Sequence, residues 1–496
     1  VIVVPSASGG RPGYDRPHRD LREFLARADE AGEIRRITGA SWDLELGALA
    51  EHVTHARTEA PALLFERIAG ADPAMRVLSA STNSTRRLAL TLGFPAARRP
   101  TDLVRAYRER MKTFAPIAPR IVASGPVFEN VDRDADVDLW KFPVPLIHEL
   151  DGGRYIGTED LVIMRDPDGD WVNVATYRVM VHDRNHVGLW MSPGKHGRRI
   201  AARYAERGEP APVLICCGQD PLLFLAANHE VPYGLSEYDY AGGHRGEPFD
   251  LVRSERYGLP MPAAAELVLE GAIEPGVLQA EGPFGEFTGY YASPQSKQPV
   301  VRIERVYHRD APIITMATPM RPPTDVSFGK SVVKSGMIWD EIERAGVSGV
   351  TGVWCHESGV VRMFVVVAIK QAYAGHAKQA ALLASNCQSG NYMGKFVVVV
   401  DDDVDPTDLF DVLWAMCTRC DPVYDIDFVR GAWASPLDPM IPHDAPQYVN
   451  SRAIVDACRP FDRRAEFPRV ARATPDLLER VRAKFGPYLG DVAAGG

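Results

Sequence analysis

The stretch QAEGPFGEFTGYY, residues 279–291, sets two carboxylates, Glu281 and Glu286, five positions apart in a loop stiffened by Gly282, Pro283 and Gly285. Phe284 and Phe287 flank the second one. A carboxyl beside such rings is partly desolvated, and its pKa rises toward a working value for proton transfer. Its neighbour stays ionised if a cation is paired with it. Two carboxyls in different surroundings give one acid and one charged partner. The plainer alternative is two solvated carboxylates in a β-hairpin. A cation stands in WVNVATYRVMVHD, where Arg178 lies in an apolar, strand-like run. An unpaired guanidinium there is costly, so Arg178 needs a carboxylate or an anionic ligand. Asn173 lies five residues earlier. In one regular strand that odd separation puts the two side chains on opposite faces.

Further polar groups could bind an ion or a phosphate. MSPGKHGRRIAARYAE carries Lys195, His196, Arg198 and Arg199 into a helix, with Gly194 and Gly197 allowing close backbone approach. Basic groups at a helix start suit a phosphate, although a solvated basic helix has the same pattern. VPYGLSEYDYAGG adds Glu237 among aromatics. Asn173, His196 and Glu237 are hard or borderline donors, and with phosphate oxygens they could complete an octahedral Mg or Mn site. In VVVVDDDVDP three aspartates follow an apolar run and could bind magnesium in a phosphotransfer enzyme. The reading preferred there is structural, with Asp405 before Pro406 capping the next helix. CTRC, Cys417 to Cys420, has the spacing of a redox or zinc pair, but no second CxxC exists and the segment reads as an amphipathic helix. Structural thiols are therefore expected. GxGxxG after a strand, GxxxxGK[ST] and GxSxG are all absent, which removes the commonest nucleotide and hydrolase signatures.

A chain of 496 residues must divide into two or three domains to position such groups. Its 46% hydrophobic and 24% charged content is ordinary for a globular protein. The net charge of -9, without a Lys/Arg run, argues against a nucleic-acid partner. No apolar run reaches the roughly 18 residues of a membrane span, and VIVV at positions 1–4 is too short for a signal-peptide core. Seven cysteines, an odd number in a long chain, fit a reducing cytoplasm. DLREFLARADEAGEIRRI predicts a helix with Leu21, Phe24, Leu25 and Ala28 on one face and Gly32 at its end. From about residue 120 to 320, alternating segments including DLVIMRD, PVLICCG, PVVRIERVYHR and PIITMATP predict an antiparallel, barrel-like region. A helix over GKSVVKSGMIWDEIERAG follows. RMFVVVAIK and GKFVVVVDDD then read as strands buried on both faces, alternating with helices in a separate α/β unit. The tail after about residue 435 is Pro-rich, with a last helix near TPDLLERVRAKFG.

EGPFGEFTGY, NVATYR, SPGKH, LSEYDYAGG and CTRCDP together resemble the UbiD-type decarboxylases, in order, from DLREFL to the C-terminal helix. These enzymes use prenylated FMN to add or remove CO2 on aromatic, heteroaromatic or α,β-unsaturated acids. The resemblance implies an α/β (α+β) fold. Residues 15–120 would form an N-terminal α/β cap, 121–325 a split β-barrel binding the flavin, 326–350 a linking helix and 351–496 a C-terminal α/β oligomerisation domain with its tail. It implies Arg178, Glu281 and Glu286 as the catalytic set. Asn173, His196 and Glu237 would hold a Mn or Mg ion bridging to the flavin phosphate, with potassium near AANHEVP. Lys195 and Leu437 would join Arg178 and the metal ligands at the cofactor. Ser327, Phe328, Trp433 and Leu437 would line the substrate pocket. Some members carry a lysine before the VVVVDDD-type strand that reaches the cofactor phosphate; the stretch here is NCQSGNYMGK, and none is assigned to that role. Lys195 stands where another member has a neutral residue, and its charge would favour an acidic substrate or hold phosphate.

The implied partners are a small aromatic carboxylic acid, CO2, a flavin prenyltransferase and further copies of the chain in a homodimer or larger homo-oligomer, with neither nucleic acid nor membrane. The chemistry agrees with a cofactor, because removing CO2 from an aryl acid leaves electrons that no side chain can accept. The expected substrate is an aromatic or heteroaromatic acid, fused-ring acids such as a phenazine carboxylate included, with hydroxybenzoates and α,β-unsaturated acids as alternatives. Two other readings remain at this point: an ordinary FMN oxidoreductase on a split barrel, and a cofactor-free oligomeric binding protein.

Overall fold

The computed structural model describes residues 17–489 except 57–59, 96, 98, 230, 293 and 443. The VIVV segment, residues 15 and 16 of the expected cap, Glu230 of AANHEVP and the end of the tail lie outside the described residues.

The first helix, Leu21–Glu30, starts where Asp20 accepts a hydrogen bond from the Glu23 N–H, and it buries Leu21, Phe24, Leu25 and Ala28 as its spacing predicts. It covers a four-stranded sheet in the order Ile34–Thr38, Ala62–Glu66, Arg76–Ser79, Ile313–Met316. The last strand corrects the expectation for PIITMATP. It leaves the barrel and pairs parallel with Arg76–Ser79. Burial on both faces is common to either location, so the apolar run alone did not distinguish them.

The central sheet is a curled half-barrel. Among the described residues its order is Tyr155–Gly157, Arg178–Val181, His186–Trp190, Ser296–His308, Leu267–Glu281, Ala211–Cys216, Leu161–Arg165, Val172–Ala175, with Asn130–Arg133 paired to Ser296–His308. Its strands serve two cores. Val213 and Ile215 pack with the cap, while Leu214 and Cys216 pack toward the linking helix and C-terminal domain. The period-2 alternation of a strand accounts for that division. The long hairpin of Leu267–Glu281 and Ser296–His308 ends at Glu281, opposite Ser296, and so places the glutamate loop at the sheet's rim.

The linking helix, Ser327–Arg344, buries Val332, Ile338, Trp339 and Ile342. Arg108 of the helix Pro100–Lys112 pairs with Asp340 at 2.6 Å and lies 4.1 Å from the Trp339 ring centre. Beyond it a five-stranded sheet runs Val350–Cys355, Phe364–Ile369, Phe396–Asp401, Val449–Ala457, Ile426–Trp433. Its three middle strands are parallel, and their apolar runs are buried. The aspartates after Phe396–Asp401 are structural: buried Asp401 meets Arg419 at 3.1 Å and Arg459 at 2.9 Å, and Asp403 meets Arg419 at 2.8 Å. The cap of the helix Leu409–Arg419 is Asp408, not Asp405. Asp405 instead accepts from the Thr407 N–H and hydroxyl. Cys417 and Cys420 are both free thiols. No helix among the described residues is long and apolar enough to cross a membrane.

Candidate active site

Arg178 opens the strand Arg178–Val181 and is buried at 8% exposure, so its charge must be met inside the protein. Glu281 meets it with a fork: Nε donates to Oε1 at 2.7 Å and Nη2 to Oε2 at 2.6 Å. The Tyr155 hydroxyl donates to the same Glu281 Oε1 at 3.1 Å. The third guanidinium nitrogen, Nη1, donates to Glu286 Oε1. Burial lowers the guanidinium's proton affinity, but the two glutamates outweigh this and raise it overall. The guanidinium lies between two rings, 4.7 Å from the centre of Trp190 and 4.9 Å from that of Phe284. Trp190 faces Arg178 in register across the strand pair.

The loop is built for close approach. Gly282 takes a φ of +82°, and a Cβ on Gly285 would lie 2.5 Å from the His148 ring. The Gly285 N–H donates to Asp151 at 2.9 Å. Phe284 is buried against Tyr155, ring centres 4.3 Å apart. Glu286 is thereby held at 6% exposure, and burial pushes its carboxyl up to about 7 although Arg178 pulls the other way. The phenylalanines are not the only neighbours of Glu286: it shares Arg178 with Glu281.

Asn173 and Arg178 do not sit in one regular strand. Thr176 and Tyr177 separate Val172–Ala175 from Arg178–Val181, and the two strands stand last and second in the sheet order. The curl brings both residues onto one cavity of about 670 Å³, within the size range of small-molecule sites. His196 and Glu237 line the same cavity. Glu237 begins the helix Glu237–Arg245. Its carboxylate accepts from the Val174 N–H at 2.7 Å and from Asn173 Nδ2 at 3.3 Å. Burial pushes its pKa up to about 7. None of the ion pairs among the described residues includes it, and a buried carboxylate of this kind suits a cation. Burial, then Arg199 and Lys195, push the His196 pKa down and favour the neutral, ligating imidazole. Among the described residues no three His, Cys, Asp or Glu side chains gather as a ready metal cage. One carboxylate, one amide and one imidazole would therefore leave positions for ligand oxygens.

Ser327, Trp433 and Leu437 line the cavity, as does Lys195. Phe328 does not. It packs in the core against Trp354, ring centres 6.1 Å apart. The helix repeat explains this correction. Ser327, Lys330, Lys334 and Met337 form the cavity stripe, and Phe328, Val332, Trp339 and Ile342 the core stripe. Sequence reasoning missed Tyr155, Trp190, Lys330, Lys334, Arg362 and Tyr392, the last five of which line the cavity. For the two lysines the signal was available in that spacing from Ser327.

Three family models match the chain, described as the N-terminal, Rift-related and C-terminal domains of 3-octaprenyl-4-hydroxybenzoate carboxy-lyase, over residues 25–107, 120–322 and 327–457. A pyrrole-2-carboxylic acid decarboxylase of Pseudomonas aeruginosa is 34% identical over 82% of this chain and 84% of its own length. A phenolic acid decarboxylase of Bacillus subtilis is 32% identical over 89% and 93%. The closed form of the Sedimentibacter hydroxybenzoicus vanillic acid decarboxylase superposes with a TM-score of 0.80 at 30% identity, over 96% of this chain and all of that one. The UbiD-class enzyme HmfF of Pelotomaculum thermopropionicum, in complex with FMN, gives 0.81 at 28% identity over 94% and 100%. An evolved dimeric form of HmfF in complex with prFMN gives 0.78 at 27% over 93% and 98%. With the three domains matched in order and relatives aligned along most of their length, the chain belongs to the UbiD family of carboxy-lyases.

Proposed function

We propose that this protein removes CO2, reversibly, from an aromatic or heteroaromatic carboxylic acid, fused-ring acids included, with prenylated FMN as cofactor. The observation that carries this is the buried Arg178 shared unequally between Glu281 and Glu286 on the wall of a large cavity. That the relatives named above act on a pyrrole acid and on phenolic acids supports the substrate class.

The chemistry then divides among the residues. Arg178, fixed by the Glu281 fork, orients the substrate carboxylate and supports the cofactor. Phe284, Phe287 and Trp190 keep water from the reacting centre. When the carbon–carboxyl bond breaks, CO2 leaves, and the ring carbon takes a proton from the Glu286 carboxyl. Glu286 is restored by a proton from solvent. Bound prenylated FMN would supply the electron sink that the side chains lack. Asn173, His196 and Glu237 would hold Mn2+ or Mg2+ against its phosphate, with K+ near AANHEVP and Lys195 and Leu437 also at the cofactor. Ser327, Trp433 and Leu437 would border the substrate. In this reading residues 121–325 bind the flavin, 326–350 link, and 351–496 carry the contacts of a homodimer or larger homo-oligomer. A flavin prenyltransferase supplies the cofactor, and the enzyme works in the cytoplasm.

The test is the visible spectrum and released-cofactor mass of protein made with a flavin prenyltransferase, followed by product analysis on a panel of aryl acids. Prenylated FMN and aryl product are expected. Plain FMN with hydride transfer would replace the proposal with an oxidoreductase, and colourless, metal-free protein with a binding function.

A further inference from the structure

The strand Val449–Ala457 lies inside the C-terminal sheet, between Phe396–Asp401 and Ile426–Trp433, and supplies nothing to the catalytic or metal set. It nevertheless carries a buried cation. Arg452 is 1% exposed, and among the described residues no carboxylate pairs with it. Its guanidinium meets backbone carbonyls instead. Nη1 donates to that of Ser385, and Nη2 to that of Asn391 and, at 3.3 Å, to that of Trp433. Nε has no partner among the described residues. A charge buried on such terms is unfavourable, and an apolar side chain of similar size would avoid the penalty.

The three carbonyls come from separate segments. Ser385 stands in the last turn of the helix His376–Asn386, whose final carbonyls lack partners within the helix and whose dipole favours a cation. Asn391 lies between that helix and the strand Phe396–Asp401, and Trp433 ends the strand Ile426–Trp433. Two further bonds close the same seam. The Met393 N–H donates to the Trp433 carbonyl at 3.2 Å, and Asn450 Nδ2 donates to that of Gly394 at 3.1 Å. On the cavity side of the seam the rings of Tyr392 and Trp433 pair, with centres 4.7 Å apart. Asn391, Tyr392 and Trp433 line the cavity, whereas Arg452 does not reach it. Arg452 thus fastens the main chain behind two aromatic side chains of the wall.

We propose that Arg452 is a positioning residue. By joining the carbonyls of Ser385, Asn391 and Trp433 it sets the Tyr392–Trp433 pair, and through that pair the size of ring that the cavity accepts. This rests on the decarboxylase reading above, in which Trp433 borders the substrate. Lysine would not replace it, because an ammonium on a flexible stem lacks the planar spread of donors that spans three fixed acceptors.

The test measures kcat/KM of the full-length, cofactor-loaded enzyme on pyrrole-2-carboxylate, 4-hydroxybenzoate, indole-3-carboxylate and 2-naphthoate. Size selectivity is the ratio between the largest and smallest acids turned over. Arg452→Met and Arg452→Lys should each change that ratio roughly tenfold, chiefly through KM. Flavin content, metal content and kcat on the smallest acid should stay within about threefold of the parent's. A double-mutant cycle then asks whether Arg452 acts through the ring. Once Trp433→Ala has removed it, Arg452→Met should alter the ratio by less than about twofold. An equal change in both backgrounds overturns the proposal. So does a loss shared alike by every acid, or loss of flavin from both Arg452 variants, since either makes Arg452 a purely structural residue. A loaded parent inactive on every acid overturns the decarboxylase reading itself, a result distinct from an active parent whose selectivity ignores Arg452.

Discussion

Glu286→Gln tests the chemistry most directly, because glutamine keeps the shape of the side chain and removes its proton. Glu286 is buried, and its carboxyl rises from the usual 4.5 to about 7. That difference corresponds to about 3 kcal/mol in favour of the neutral acid. At pH 6 about nine-tenths of the sites then carry the proton, at pH 8 about one-tenth. Turnover that needs this proton should fall as pH rises through about 7. The same shift affects stability. The folded pKa lies above the unfolded one, so the stabilisation is complete below about 4.5 and is lost as pH climbs to about 7. Glu286→Gln should therefore flatten the stability profile between these values in urea titrations of the cofactor-free protein. Loss of the general acid should slow turnover roughly a hundred- to ten-thousand-fold, with flavin and metal content unchanged. The decisive assay is incorporation of deuterium from solvent into the product ring. A variant within about tenfold of parental turnover that still exchanges deuterium would remove Glu286 from the acid role and refute the reasoning.

Arg178→Lys keeps the charge but loses the fork to Glu281, so it should bind cofactor yet lose most turnover and about 1.5–3 kcal/mol of stability; near-parental kcat/KM would count against Arg178 as the orienting group. Glu237→Ala should lose metal and flavin together, read by metal analysis and flavin absorbance, and normal flavin in a metal-free variant would end the bridging assignment. Asp401→Asn, at the buried contact with Arg419 and Arg459, should cost on the order of 3 kcal/mol in denaturant titrations without altering metal content; loss of metal would make the aspartates candidate ligands again.

How much of this was legible in the sequence depended on the range of the interaction. The helix Leu21–Glu30 carries its cap and apolar stripe within ten residues, and it formed as read. The two glutamates announced themselves because Gly, Pro and Phe in the same loop fix their surroundings. Pairings set by distant partners were not legible. Nothing local tells Ile313–Met316 to join Arg76–Ser79, or Asp408 rather than Asp405 to start a helix. Trp190 escaped notice because its importance lies in facing Arg178 across a strand pair, a register no single segment encodes.

Why two glutamates meet one arginine follows from the geometry rather than from either residue's type. A guanidinium can grip a carboxylate with two parallel bonds along one edge, and here the Nε–Nη2 edge goes to Glu281, which also accepts from Tyr155. Glu286 is left with the single bond from Nη1. With both glutamates ionised, the buried trio would carry a net negative charge in a wall of Phe284 and Trp190. One proton removes it, and it settles on the carboxyl with fewer donors, where burial outweighs Arg178. In the proposed mechanism the ion pair would then do more than hold Arg178 for a substrate: by taking the Nε–Nη2 edge, Glu281 would make Glu286 the group that keeps a proton to give. Replacing Glu281 with Gln should then free the fork, strengthen the hold of Arg178 on Glu286 and lower the pH at which activity falls. If that limb stays near 7 in the pH profile of Glu281→Gln, burial alone sets the acid and the sharing of Arg178 plays no part in it.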